Sequence, residues 1–293
     1  MAVVTGATGS MGRVIVAGLA ARGLQVVAVA RDPRRADELR REVARQAGPG
    51  ALEVVPGDLS TRDGVRIVAE SIAGRHEAVH VLVNNAGAHH RQHRVSPDGV
   101  EMHVAVDYLA AYGMVVHLDQ QLRRGRTRIV NVVSDTIRDT RRIPLVGAPR
   151  PATLDLGTLS DLTRLNPAQG FVPFEAYARA KLLTVVAGYA QARTFVADGV
   201  TLNAVHPGIV ATDIIDDLVP RALRPFGGLI RRSMLTPEQG AAAALRLATD
   251  PALDGVTGRY FVRDVDTATP TVSYDRSVQD RLRASTDRFL GLP

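Results

Sequence analysis

Short runs of β-branched and aliphatic residues alternate with longer stretches of helical periodicity along this chain. Apolar runs at 2–5, 25–30, 52–56, 79–84, 129–133 and 200–205, with a later one at 259–262, read as strands buried on both faces. Helical patterns lie between them, near 12–22, 34–46, 62–73, 98–123, 174–197 and 237–249. Strands that recur after helices imply an α/β fold, a parallel sheet with right-handed crossovers. Two stretches break the rhythm. Residues 137–173 are rich in Arg, Pro and Leu, and residues 213–235 carry Pro220, Pro225 and the pair Gly227-Gly228. Both follow strands that should end on the ligand side of the sheet. We expect one domain over 1–293, with an insertion at 137–173 and a substrate lid at 213–235. An amphipathic, membrane-touching segment is the alternative for the second.

Length and composition allow this. With 293 residues, 45% of them hydrophobic, the chain can bury a large core. It has no cysteine, which excludes disulfides and thiolate chemistry. No apolar run reaches the length of a membrane span, so no integral membrane segment is expected. Met1 leads directly into strand-like residues, and a soluble, cytoplasmic protein is the expectation. The formal charge of +6 is spread without a basic block, so nucleic acid is not an expected partner. One detail of the charge is informative. Of the 36 basic residues, Lys181 is the only lysine. Arginine fills every generic surface role, yet one position keeps a compact ammonium.

The segment Thr5-Gly6-Ala7-Thr8-Gly9-Ser10-Met11-Gly12 follows the first strand and opens the first helix. Glycines there permit a tight turn and a close backbone approach to a pyrophosphate, which a helix N-terminus favours. Arg31 closes the second strand, 19 residues beyond Gly12, near where an acidic residue would hold the ribose diol of NAD. An arginine suits the 2′-phosphate of NADP instead. Asp32 argues the other way unless it caps the helix that Pro33 begins. Asp58, after the third strand, reaches either an adenine amino group or a helix start.

Tyr177 and Lys181 stand four residues apart, on one helix face about 6 Å apart along the axis. A nearby ammonium favours the phenolate, so a lowered pKa and proton exchange at neutral pH are expected of Tyr177. Ser134 ends the fifth strand, Asn84-Asn85-Ala86-Gly87 ends the fourth and His206-Pro207-Gly208 the sixth. With the glycine turn after the first strand, these make four strand ends that predict one shared crevice.

These motifs together resemble the short-chain dehydrogenase/reductase family, and most of all its retinol-dehydrogenase-like branch, which includes the WW-domain oxidoreductase. TGATGSMG, NNAG, the set Ser134, Tyr177 and Lys181, and HPG followed by Thr212 carry the likeness. RIVNVVS, LNAVHPG, PEQGA, GRYF and the terminal FLGLP extend it over nearly the whole chain. The resemblance implies a doubly wound (Rossmann) sheet of about seven strands in the order 3-2-1-4-5-6-7. It implies Tyr177 as general acid/base, Lys181 as the residue that tunes it and holds the nicotinamide ribose, and Ser134 as the group that polarises the carbonyl. It assigns the dinucleotide to Thr5, Gly6, Thr8, Gly9, Ser10, Met11, Gly12, Arg31, Asp58 and Leu59. Asn85, Ala86, Gly87, Pro207, Gly208 and Val210 join them, with Asn84 and Gly87 shaping the floor and Thr212 holding the carboxamide. Three departures stand out. Ser10 occupies a place often held by glycine. Asp107 falls where the family usually has an asparagine that supports a proton path, and a carboxylate there accepts hydrogen bonds without donating. Ser134 and Tyr177 lie 43 positions apart, which suggests that the insertion reshapes the substrate pocket.

His89, His90 and His93 look like a metal cluster but have no carboxylate or cysteine beside them, and no metal is expected. The arginines 221, 224, 231 and 232 are expected on a solvated lid face. The apolar face of the helix at 108–122 belongs either to the core or to a subunit contact of a homo-oligomer. The expected function is NADP(H)-dependent ketoreductase or alcohol dehydrogenase chemistry on a bulky apolar carbonyl or alcohol. A same-fold enzyme with non-redox chemistry (dehydratase, epimerase or cyclase) and a non-catalytic dinucleotide sensor are the alternatives.

Overall fold

The computed structural model describes residues 1–48, 50–141, 148–210 and 234–292. Seven parallel strands form the sheet: β1 (Ala2–Val4), β2 (Val26–Ala30), β3 (Leu52–Pro56), β4 (Val81–Asn84), β5 (Arg128–Val132), β6 (Thr201–His206) and β7 (Tyr260–Val262). A short β8 (Val265–Asp266) adds an antiparallel edge, and the order is β3-β2-β1-β4-β5-β6-β7-β8. The expected order is therefore present, with one strand more than expected. Arg263 turns the chain into β8 with a left-handed backbone, φ 55°.

Strand side chains alternate between two apolar layers, as the two-residue period of a strand requires. Val4, Ala28, Val83, Val130 and Val205 face one layer, packed on α1 (Ser10–Ala20) and α7 (Pro237–Thr249). Val3, Val27, Leu82, Ile129 and Leu202 face the other, with α3 (Arg62–Ala73) and α4 (Ala110–His117). Helices α2 (Pro33–Ala47), α5 (Asp119–Gly125) and α6 (Pro173–Thr194) complete the crossovers.

The expected helix over 98–123 is divided. It contains a π-helical turn at Val104–Leu109 and breaks at Leu118 between α4 and α5. Thr184 Oγ1 donates to the Asp107 carbonyl inside this turn at 2.7 Å, supplying a partner from α6. A C-terminal helix, α8 (Arg276–Leu290), was not expected from the apolar pattern. It packs on α6, and it reaches α4 and the π-turn through Tyr108–Thr286 at 2.5 Å and Tyr112–Asp287 at 2.6 Å. The apolar face at 108–122 is accordingly core: Tyr108, Met114, Leu118 and Leu122 are fully buried.

The described residues of the insertion pack against the fold. Ala152, Leu159, Leu162 and Leu165 are buried in the cluster that includes α6 and α8. Asn166 donates to Glu101 Oε2 at 2.9 Å and to the Ala176 carbonyl at 3.1 Å, and Arg179 Nε reaches the Thr153 carbonyl at 3.1 Å. Most of the expected lid, residues 213–233, lies outside the described residues. Its base does not: Leu235 pairs with Val210 and donates to the Ile209 carbonyl at 2.9 Å.

Candidate active site

The C-terminal ends of β1, β2, β4, β5 and β6 open into one cleft of about 930 Å³, within the range of small-molecule sites. Its nucleotide end is the glycine turn. Gly6 has φ 61°, and a Cβ there would lie 2.8 Å from Ala86 Cα; a Cβ at Gly12 would lie 2.2 Å from the Gly6 carbonyl. Only glycine fits at both. The first residue of α1 is Ser10, and Gly9, its cap, offers no side chain to the free N–H groups of the first turn. Those donors and the positive end of the helix face the cleft, a fit for a pyrophosphate. Gly6, Thr8, Gly9, Ser10, Met11 and Gly12 all line it. Thr5 lies behind: its Oγ1 accepts the N–H groups of Asn85 (3.1 Å) and Ala86 (3.0 Å). Asn85 Nδ2 returns bonds to the carbonyls of Thr5 and Gly6, so the two loops hold each other.

Asp32 is committed elsewhere. Its carboxylate caps α2, accepting from Arg34 N at 2.9 Å and Arg35 N at 3.4 Å, with Pro33 at the first helical position. Arg31 lines the cleft, and so does Arg35, one helical turn further on, which the sequence reading missed. Asp58 and Leu59 also line it, with Asp58 Oδ1 accepting from Ser60 N at 3.0 Å. Asn85, Ala86, Gly87, Pro207, Gly208 and Val210 are there as expected. Asn84 is not. It is buried in the sheet, donating to Asn131 Oδ1 at 2.9 Å, so it links β4 to β5 rather than shaping the floor. Thr212 lies outside the described residues.

Ser134, Tyr177 and Lys181 meet at the other end of the cleft. Pro173 at the first position of α6 sets the helix start, and the four-residue spacing then puts Tyr177 and Lys181 on one buried face. Lys181 Nζ lies 5.7 Å from the centre of the Tyr177 ring and donates to the Val132 carbonyl at 3.1 Å. It also makes an ion pair with Asp107 Oδ1 at 3.0 Å. Asp107 sits beneath the floor, not on it, with Oδ1 also accepting from Ala88 N at 3.1 Å.

The expectation that Tyr177 has a lowered pKa is corrected by this arrangement. Burial pushes the phenol up; Lys181 pulls it down, Asp107 pushes it up again, and a bond from Ser134 opposes that, leaving Tyr177 above the ordinary tyrosine value. Burial opposes the charge on Lys181, but Asp107 and Tyr177 outweigh it and hold the ammonium above its ordinary value. Behind Tyr177 lies a polar cluster that the sequence reading did not assemble. His103 Nε2 accepts from His90 N at 2.9 Å, so its Nδ1 carries the proton and donates to Glu101 at 2.8 Å. The rings of His89 and His103 stand edge-on to Tyr177 at 5.8 and 6.1 Å. Towards the mouth the cleft is lined by His90, Met102, Val106, Phe174 and Met234, with Arg94, Asp139 and Arg141. Of the insertion, Asp139 and Arg141 alone line it among the described residues. The described part of the insertion therefore pads α6 and α8 more than it shapes the pocket.

A doubly wound sheet with a phosphate turn at one end of its crevice and a Ser-Tyr-Lys set at the other defines a dinucleotide-dependent oxidoreductase class. The chain belongs to the short-chain dehydrogenase/reductase family. The model described as "short chain dehydrogenase" matches residues 1–142. The polyprenol dehydrogenase of Mus musculus is 31% identical over 296 residues, covering 99% of this chain and 84% of its own. Retinol dehydrogenase 14 of Mus musculus is 30% identical over 270 residues, covering 88% and 76%. A crystal structure of a "putative NAD(P) dependent gluconate 5-dehydrogenase" from Beutenbergia cavernae, with NADP bound at low occupancy, superposes with a TM-score of 0.66. That protein is 30% identical, and the match covers 90% of this chain and 94% of that one. Among the described residues no helix is long and apolar enough to cross a membrane.

Proposed function

We propose that this protein interconverts a carbonyl and the matching alcohol with NADP(H), on a bulky and mainly apolar substrate. One observation carries the reading: Ser134, Tyr177 and Lys181 converge on the floor of the cleft whose far end is the phosphate turn. When bound, the nicotinamide supplies or accepts the hydride. The rest falls to the chain. The Ser134 hydroxyl orients the carbonyl oxygen towards the Tyr177 phenol, and the phenol gives that oxygen its proton or takes it back. Lys181 is placed to hold the ribose. For the choice of NADP, Arg31 and Arg35 line the cleft while Asp32 is spent as a helix cap.

Met102, Val106, Phe174 and Met234 favour an apolar substrate, and the names of the polyprenol and retinol dehydrogenases point to alcohols of that kind. Asp107, which would favour non-redox chemistry, does not line the cleft, so that alternative has no observation behind it. The test is a panel of long-chain and ring ketones, aldehydes and alcohols followed at the nicotinamide absorbance. Turnover is expected with NADP(H), and Tyr177→Phe should lower kcat by about two to four orders of magnitude. Full activity in Tyr177→Phe, with the fold intact, refutes the assignment.

A further inference from the structure

Hydride and proton transfer need a phenol and an ammonium, but not a carboxylate locked onto that ammonium. Asp107 and Lys181 are 2% and 4% exposed. Two of the three lysine donors are spent, on Asp107 Oδ1 and on the Val132 carbonyl. The carboxylate is fixed in turn by Ala88 N, and its second oxygen is buried without a partner among the described residues. The backbone of Gly87 roofs the pair: a Cβ there would lie 2.8 Å from Asp107 Oδ1 and 3.3 Å from Lys181 Nζ. Carboxylate and ammonium thus form a compact dipole, the ammonium at the cleft floor and the carboxylate beneath it. An unpaired cation at this range lowers a phenol pKa by about one to three pH units, and an anion in contact with that cation cancels much of the effect.

Among the described residues, Lys181 and Asp107 are the charges that act on Tyr177. The groups facing Tyr177 are Lys181 on its own helix, Asp107 from the π-turn, Ser134 from the end of β5, and the His89 and His103 rings. His103 accepts a backbone N–H at Nε2 and donates from Nδ1 to Glu101 beyond it. His103 also stands one helical turn from Asp107; burial pushes that carboxyl up, and Lys181 and His103 oppose the shift.

We propose that Asp107 is a positioning residue that holds Lys181 in an ion pair and so keeps Tyr177 a neutral phenol, making the resting site a proton donor suited to carbonyl reduction at neutral pH. The directional part rests on the oxidoreductase reading above. In reduction, the carbonyl carbon takes the hydride that the dihydronicotinamide supplies, its oxygen takes the phenolic proton, and the phenolate is reprotonated from solvent. Oxidation of the alcohol runs the same bonds backwards and needs the phenolate first, so it is confined to alkaline solution. The upward direction of the phenol pKa agrees with this.

The chain has six tyrosines and no tryptophan, so phenolate absorbance reads tyrosine ionisation without interference. Burial holds Tyr108, Tyr112, Tyr189 and Tyr260 well above the ordinary range, while Tyr274 is exposed and shifted down. In a Tyr274→Phe background, the ionisation step that is lost on adding Tyr177→Phe is that of Tyr177. In cofactor-free protein that step should lie above free tyrosine. Asp107→Asn should lower it by about one pH unit or more, and Asp107→Glu should restore it in part. The alcohol-oxidation profile of Asp107→Asn should move to lower pH by the same amount. An unmoved step in folded Asp107→Asn overturns the proposal while leaving turnover, and hence the function reading, intact. If the variant does not fold, the parent decides: a Tyr177 step below free tyrosine overturns the proposal, and one above it supports it. A shifted step without turnover on any carbonyl overturns the oxidoreductase reading and the directional half together, and sustains the ion-pair half.

Discussion

Arg31 offers the most direct route to the cofactor question. It is exposed at the end of β2, lines the cleft, and makes no ion pair among the described residues. The contrast with Arg13 is instructive, since that guanidinium is already tied to Glu38 at 2.8 Å and Glu42 at 3.2 Å. A guanidinium about 4 Å from a phosphate charge gains about 4 kcal/mol at an effective dielectric near 20. Solvent screening and side-chain ordering at an exposed position reduce this to about 1–2 kcal/mol. Since about 1.4 kcal/mol is a factor of ten, Arg31→Ala should weaken NADPH binding about tenfold, and Arg31→Ala with Arg35→Ala about a hundredfold. NADH lacks the 2′-phosphate and should bind all three proteins alike. Titration of nicotinamide fluorescence measures both affinities. Salt is an internal control, because the NADPH preference should shrink as the Debye length falls from about 8 Å at physiological ionic strength to about 3 Å at 1 M. An NADPH-to-NADH ratio that Arg31→Ala leaves within about twofold, or an equal loss for both cofactors, refutes the reasoning.

Three further outcomes follow from the same structure. Asp32→Ala removes a helix cap, so it should cost about 1 kcal/mol in chemical denaturation without weakening NADH; a selective loss of NADH would make Asp32 a ribose ligand. Leu282→Ala, at a fully buried position on α8, should cost about 2–5 kcal/mol by the same assay. A cost well under 1 kcal/mol would show that α8 is peripheral to the core. Burial depresses His206 from 6.5 to about 4, so the folded state favours the neutral ring and the unfolded state binds the extra proton between those values. Stability from this group is full above pH 6.5 and is lost as pH falls towards 4. His206→Gln should flatten that part of the melting-temperature profile, and an unchanged slope would assign it to other groups.

What could be read from the residues divides along a physical line. Strands buried on both faces announce themselves as apolar runs, and the phosphate turn and the Tyr177–Lys181 spacing are local, so each was legible from a few neighbouring positions. Helix α8 was not, because Arg276–Leu290 is mostly polar and its large apolar positions, Val278, Leu282, Phe289 and Leu290, are sparse. Its ends did carry signals: Asp275 caps it, and Gly291 closes it with φ 71°. Asn84 misled because adjacent residues on a strand point to opposite sides, and it is Asn85 that turns to the glycine loop. The tuning of Tyr177 failed for a deeper reason. Spacing along one helix puts an ammonium beside a phenol, but the sign of the net effect depends on burial and on a carboxylate that arrives from a π-turn 70 residues earlier. Local pattern shows which groups meet. Their protonation is set by everything else packed against them, here by burial and by the Asp107 carboxylate as well as by the Lys181 ammonium.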